Sequence, residues 1–160
     1  MFKVYYKIPF CYLSLHSNGD FLTKIDFCDR LDIENTCSLL EFAKEELRLY
    51  FAKKLQKFQT PLWIQGSDFE QKVYKELINI PYAKLVTYKE IAININHPKA
   101  FRAAGNANSK NLIPIFIPCH RVIASNGLGG YNGGLAIKRF LLECEGGGVD
   151  LSQFKNKLGD

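Results

Sequence analysis

The chain reads as an α/β protein of two small domains. An antiparallel sheet with a packed helix comes first, and a mostly helical part with a winged-helix-like helix-turn-helix follows. Three observations carry this. Residues 1 to about 28 form short alternating apolar runs, "FKVYYKI", "CYLSLHS" and "FLTKIDF", with Asn18-Gly19-Asp20 between the last two. An Asn-Gly turn between such runs is a strong hairpin signal. "TCSLLEFAKEELRLYFAKKLQKF" then places Leu39, Leu40, Phe42, Ala43, Leu47, Tyr50, Phe51 and Leu55 at helical spacing. Beyond Gly66, capping residues and breakers recur closely, which predicts several short helices.

Thr60-Pro61 and Gly66-Ser67 punctuate a connector. The expected division is therefore a first domain over 1–60, a connector over 61–66, a second domain over 67–150 and a tail over 151–160. Ser67-Asp68 can cap "DFEQKVYKELINI", with Phe69, Val73, Tyr74, Leu77 and Ile78 apolar and Pro81 as its stop. Thr87 with Glu90 forms a capping-box pattern, so the next helix starts at Tyr88. Asn94 to His97 breaks it. Pro98 suits the first position of a further helix, "PKAFRAAGNANSK". Two short helices joined by a brief turn read as a helix-turn-helix. The second carries Ala100, Ala103, Ala104, Gly105 and Ala107. Such a small face either packs on a neighbouring helix or presses into a nucleic-acid groove, and the pattern alone does not choose.

Composition narrows the class. In 160 residues, 47% are hydrophobic, with twelve Phe and eight Tyr, enough for a real core. No apolar run reaches the roughly 18 residues of a membrane span. The N-terminus shows no signal-peptide pattern, so a cytoplasmic location, or a nuclear one in a eukaryote, is expected. Cysteines stand at 11, 28, 37, 119 and 144, an odd number without a Cys-x-x-Cys pair. They read as free thiols in a reducing compartment. Cys11, His16, Cys28 and Cys37 fit no common zinc-finger spacing, and no metal is expected. The net charge of +5 permits a polyanion partner without demanding one.

Chemistry concentrates in "IPCHRVI", residues 117–123. A thiol reacts as its thiolate, and an imidazole can take the proton. The imidazole in turn needs an orienting carboxylate or amide. Cys119 and His120 supply the first two groups. Adjacency alone is weak support, because successive strand residues point apart. A bend after Pro118, or a water, is needed to join them.

The order "TYKEIA", "HPKAFRAAGNANSKNLIPIFIPCHRVIASNGLGGYNGGLAIKRFLLECEG" closely resembles the O6-alkylguanine-DNA alkyltransferases, also called methylated-DNA–protein-cysteine methyltransferases. The resemblance covers residues 67 to about 147, and the first half is similar to the family's ribonuclease-H-like domain. It implies direct repair of duplex DNA by irreversible transfer of the alkyl group from O6-alkylguanine, and in some members O4-alkylthymine, to the protein itself. No cofactor is implied, and a monomer is expected. The resemblance makes Cys119 the acceptor, held poised as thiolate by the base His120, with Glu145 as orienter. It makes Asn111 a hinge-like amide. Tyr88 and Arg102 match the residues that push the nucleotide out of the duplex, and Tyr88 also matches a proton donor to the leaving base. Ala100 and Ala103 belong to the helix that enters the minor groove. Tyr131, Asn132 and Gly133 match the loop over the flipped base, and Val122 lines the pocket. Lys138 matches a lysine near the thiol, with a solvated charge as the plainer reading. Leu112, Asn132 and Ala83 depart from the common proline, serine and glycine. A non-catalytic lesion binder, a helix-turn-helix regulator and a cysteine hydrolase remain the competing classes.

Overall fold

The structure, a computed structural model, describes residues 1–146; the expected tail over 151–160 and the last residues of the expected second domain lie outside them. The chain divides into two compact units, Met1–Ile64 and the residues from Gln65 onward.

In the first unit, β1 (Phe2–Lys7), β2 (Tyr12–Ser17) and β3 (Leu22–Cys28) form an antiparallel sheet in sequence order. The alternation puts Val4, Leu13, Leu15, Leu22 and Ile25 in the core, where Leu40, Ala43, Leu47 and Tyr50 of α1 (Ser38–Phe51) also lie. The Asn-Gly turn is present. Asn18 Oδ1 accepts from the amides of Asp20 and Phe21, at 2.9 Å each, and Gly19 takes φ +102°. A side chain there would be strained, so glycine is required. Helix α1 is shorter than its periodicity predicts, and Leu55 falls beyond it. The Lys53 amide donates to Tyr50 O and the Lys54 amide to Leu49 O, while Lys53 sits at φ +61°. This is a Schellman termination with lysine in the left-handed position that glycine usually fills. Sequence inspection sees no stop signal there. Residues 61–63 run along the start of β3: Leu22 donates to Pro61 O and Trp63 to Leu22 O.

The second unit holds α2 (Asp68–Ile78), β4 (Val86–Thr87), α3 (Tyr88–Asn94), α4 (Phe101–Ser109), β5 (Val122–Ile123) and α5 (Leu135–Glu145). Ser67 and Glu70 form the reciprocal capping box of α2. Thr87 accepts from the Glu90 amide at 3.1 Å, so α3 starts where the sequence predicts. Helices α2, α3 and α4 pack on one another, giving the helix-turn-helix. Helix α4 starts at Phe101, not at Pro98. The Ala100 amide donates to His97 O at 2.9 Å, which closes a turn around Pro98. A proline's fixed φ suits the second position of such a turn as well as a helix start. Val86 pairs with Val122 and Thr87 with Ile123 in a parallel ladder that no pattern predicted. No helix among the described residues is long and apolar enough to cross a membrane.

Candidate active site

Pro118 follows a tight turn in which the Ile117 amide donates to Ile113 O at 3.0 Å and Ile115 takes φ +75°. Cys119–Arg121 form one 3₁₀ turn, closed by the Arg121 amide on Pro118 O at 3.0 Å. The chain thus bends directly after Pro118. The turn buries all three side chains: Cys119 is 5% exposed, His120 0% and Arg121 5%.

The end of α5 brings Glu145 to them. His120 Nε2 lies 2.7 Å from Glu145 Oε2, both side chains fully buried. Arg121 grips the same carboxylate with two hydrogen bonds, Nε to Oε1 at 2.9 Å and Nη2 to Oε2 at 3.0 Å. Its third contact, Nη1 to Ile80 O at 2.8 Å, anchors it to the end of α2. The Ala83 amide adds a fourth bond to Glu145, at 3.0 Å. Ala83 stands at φ +63°, which explains why glycine is common at this position. Burial alone would raise the Glu145 pKa. The hydrogen bonds and charges of His120 and Arg121 outweigh it and hold the carboxyl well below its usual range. Burial, opposed by Glu145, lowers the His120 pKa. Arg121 has already balanced the carboxylate's charge, so the imidazole is neutral at pH 7. His120 Nδ1 has no hydrogen-bond partner among the described residues. The outcome is a neutral base with an open nitrogen.

Burial raises the Cys119 thiol pKa to about 11, against the opposing pull of the Asn111 side chain and the Lys138 charge. Burial thus favours the thiol at rest, in tension with the poised thiolate that the resemblance implies. Asn111 ties the approach together: Nδ2 donates to Ile117 O at 2.9 Å, and Oδ1 accepts from the Ile113 amide at 3.0 Å.

Lys138 is not a solvated charge. It is fully buried, and Nζ donates to the carbonyls of Val122 (2.7 Å), Leu128 (2.6 Å) and Gly130 (3.1 Å). Burial lowers its pKa to about 8. Val122, fully buried, thus has its carbonyl held by Lys138 and its strand held by β4.

Tyr88 opens α3, and its hydroxyl bonds the backbone at Gly130. Gly129 passes so close that a Cβ there would lie 2.7 Å from that hydroxyl, at φ +77°. Burial raises the Tyr88 pKa, with a further push from Cys119. Tyr131 is raised well above its ordinary value by burial, again with a Cys119 contribution. Both rings thus lie within electrostatic reach of the thiol. Asn132 is exposed, and its Nδ2 donates to Ser109 O at the end of α4. Gly133 is half-buried.

Helix α4 splits its small residues between two faces. Ala104 and Ala107 are buried, with Asn108 beside them. Phe101, Arg102, Ala103 and Asn106 are exposed, and Ala100 is half-buried at the cap. The structure brings together Cys119, His120, Glu145 and Asn111, with Tyr88 and Tyr131 within electrostatic reach of the thiol. It leaves Arg102 and Ala103 facing outward. Sequence reasoning did not assign Arg121 to Glu145, because partners 24 residues apart leave no spacing signal.

Comparison with known proteins agrees with this architecture. Residues 68–147 match the family model for the 6-O-methylguanine DNA methyltransferase DNA binding domain, and residues 1–64 match that for the ribonuclease-like domain of the same family. A methylated-DNA–protein-cysteine methyltransferase of Methanosarcina barkeri is 51% identical over 114 residues, covering 71% of this chain and 72% of its own. The one from Saccharolobus solfataricus is 41% identical over 143 residues, 88% and 93% of the two chains. The crystal structure of Mycobacterium tuberculosis OGT in complex with DNA superposes with a TM-score of 0.81 at 39% identity, covering 88% of this chain and 90% of that one. The chain belongs to the methylated-DNA–protein-cysteine methyltransferase family.

Proposed function

We propose that this protein repairs alkylated duplex DNA by moving the alkyl group of O6-alkylguanine onto Cys119. The observation that carries the reading is the neutral, fully buried His120, bonded through Nε2 to an ionised Glu145 and open at Nδ1, one residue from the thiol. A thiol with a pKa of about 11 needs such a base at the moment of reaction. The proton passes from Sγ to His120 Nδ1, through a water as the resemblance implies. Sulfur then displaces the guanine oxygen from the alkyl carbon: one S–C bond forms and one C–O bond breaks. The guanine anion takes a proton from Tyr88, which its raised pKa keeps protonated at neutral pH. The product thioether offers water no leaving group, so each molecule acts once. O4-alkylthymine carries the same alkyl–oxygen bond and falls within the proposal.

A stacked base must be extruded first, at a cost of a few kcal/mol. The exposed face of α4, with Arg102 between Phe101 and Ala103, suits contact with the duplex, and Arg102 fills the vacated space. Intact-protein mass spectrometry after incubation with O6-methylguanine duplex tests the whole reading. One methyl mass on Cys119 and a plateau at one equivalent are expected, and Cys119→Ala should lose transfer yet keep DNA affinity. Turnover beyond one equivalent, or methylation at Cys144, overturns it. A non-catalytic lesion binder has no use for the Cys119 relay, and a sequence-specific regulator predicts selective binding to undamaged DNA.

A further inference from the structure

Three of the five cysteines lie in the first unit, and two of them meet across its sheet. Strands β2 and β3 run antiparallel, with Tyr12 opposite Cys28. Cys11 stands one step before Tyr12, in a turn that the Ile8 amide closes on Cys11 O at 3.0 Å. Opposite Cα atoms in such a ladder lie ~4.5–5.5 Å apart, and one step along a strand adds ~3.4 Å. The Cα atoms of Cys11 and Cys28 are therefore roughly 5.5–6.5 Å apart, within the range of about 4.4–6.8 Å that a disulfide spans. The sulfurs face each other's strands. The Cys28 thiol donates to Tyr12 O at 3.5 Å, and the Cys11 thiol bonds the backbone at Cys28. Both residues are half-buried and open to a small reagent, whereas Cys119 is 5% exposed.

We infer that Cys11 and Cys28 form a reversible disulfide, a modification site separate from the acceptor cysteine. In the structure both are free thiols, the reduced form of the pair. The oxidant is a small disulfide, with oxidised glutathione as the probe. The thiolate of one cysteine attacks it, forming a mixed disulfide and releasing one glutathione thiolate, which takes up the proton. The second cysteine then attacks the protein sulfur of that mixed disulfide. The Cys11–Cys28 bond forms and the second glutathione leaves. Two protein thiols lose two protons and two electrons, and one glutathione disulfide becomes two thiols. Burial, then the neighbouring Cys28 thiol, raises the Cys11 pKa, and burial raises that of Cys28 against a Ser14 hydrogen bond. The first attack is therefore slow at neutral pH, and proximity drives the second. The bond closes a loop over residues 11–28, which contains the Asn18-Gly19 turn, and it restricts the unfolded chain more than the folded one.

The test equilibrates the full chain with oxidised glutathione, blocks the remaining thiols with N-ethylmaleimide and digests with trypsin without reduction. Cleavage after Lys7, Lys24, Arg30 and Lys44 puts Cys11 in peptide 8–24, Cys28 in 25–30 and Cys37 in 31–44. Peptides 8–24 and 25–30 should appear joined, from a chain two hydrogens lighter that runs as a monomer on a non-reducing gel. The oxidised chain should melt about 5 °C or more above the same chain in dithiothreitol. Cys28→Ser keeps a donor for Tyr12 O, and it should lose both the link and the melting gain while Cys11 retains glutathione as a mixed disulfide. Cys11→Ser is the reciprocal variant and reads the same way if Cys28→Ser does not fold. Glutathione left on both cysteines without a link, a link from either to 31–44 or between two chains, or an unchanged melting temperature overturns the inference.

Discussion

Two glutamates, one in each unit, are buried to the same degree, 4% exposed, and are held by different kinds of partner. Glu46 of α1 is met by hydrogen bonds from neutral groups. The Gln59 amide lies 2.8 Å from Oε2, and the Thr60 amide and hydroxyl lie 2.8 and 2.5 Å from Oε1. Glu145 is met by a guanidinium and an imidazole. A carboxyl group held by amides and a hydroxyl fastens one stretch of backbone to another. A carboxylate held by an arginine and a histidine fixes the protonation state of the histidine. The first is architecture, and the second, in the proposed mechanism, serves the reaction without touching the substrate.

The comparison breaks first at Glu145. Glu145→Gln keeps the shape and removes the charge, so His120 loses its partner of fixed tautomer. Single-turnover transfer should slow by about 10²–10⁴, the range of general base catalysis. Slowing by less than about tenfold in a folded variant would mean that His120 needs no orienter. Without His120, the transfer rate of His120→Ala should climb steadily with pH toward about 11, where the thiol ionises unaided.

Glu46→Ala should do the reverse. It leaves the buried amide and hydroxyl of Thr60 unpaired, at a cost of about 3 kcal/mol in thermal or denaturant unfolding. Transfer by the molecules that remain folded should stay within about twofold of wild type. A large loss of rate at Glu46 would erase the distinction between the two sites.

Acid sharpens it. Glu145 has a depressed pKa in the folded state, against about 4.3 unfolded. Its stabilisation is complete above that unfolded value and is lost as pH falls below it toward the folded pKa. Stability of wild type should fall below about pH 4 more steeply than that of Glu145→Gln. At the alkaline end Lys138 adds a slope of the same sign in a different pH window. Its folded pKa of about 8 lies below the ordinary 10.5, so between those values the unfolded chain binds more protons and stability rises with pH. Lys138→Met should remove that rise. The smallest effect belongs to Ala83→Gly. It relieves a left-handed alanine at φ +63° and should add up to about 1 kcal/mol in a melting experiment, with the Glu145 contact kept.

Much of the fold was legible because short-range rules govern it. The Asn18-Gly19 hairpin, the Ser67 box and the start of α3 at Tyr88 each follow from side chains within a few residues of the turn they make. The misses have a common cause. Lys53 takes a left-handed position against its preference, Pro98 joins a turn set by its neighbours, and β4 pairs with β5 across 35 intervening positions. Each is decided by packing that no local pattern encodes. At the candidate site, the grouping of Cys119, His120 and Glu145 came from family resemblance, and the structure supplies the distance between His120 and Glu145. Arg121 as the carboxylate's partner and the buried Lys138 needed three dimensions, because burial and pairing at long range leave no periodicity to read.

The cage around Lys138 has a further consequence, for chemical labelling. An amine with a pKa near 8 is largely unprotonated at mildly alkaline pH and should be among the quickest lysines to react with an acylating reagent. Yet Nζ is enclosed by the carbonyls of Val122, Leu128 and Gly130, and no reagent reaches it until that stretch lets go. Its modification rate is then set by how often the segment after the acceptor cysteine opens. Lys138 becomes a built-in clock for that motion, readable by mass spectrometry against the exposed lysines of the same molecule, and any ligand that holds the segment closed will slow the clock without touching the lysine.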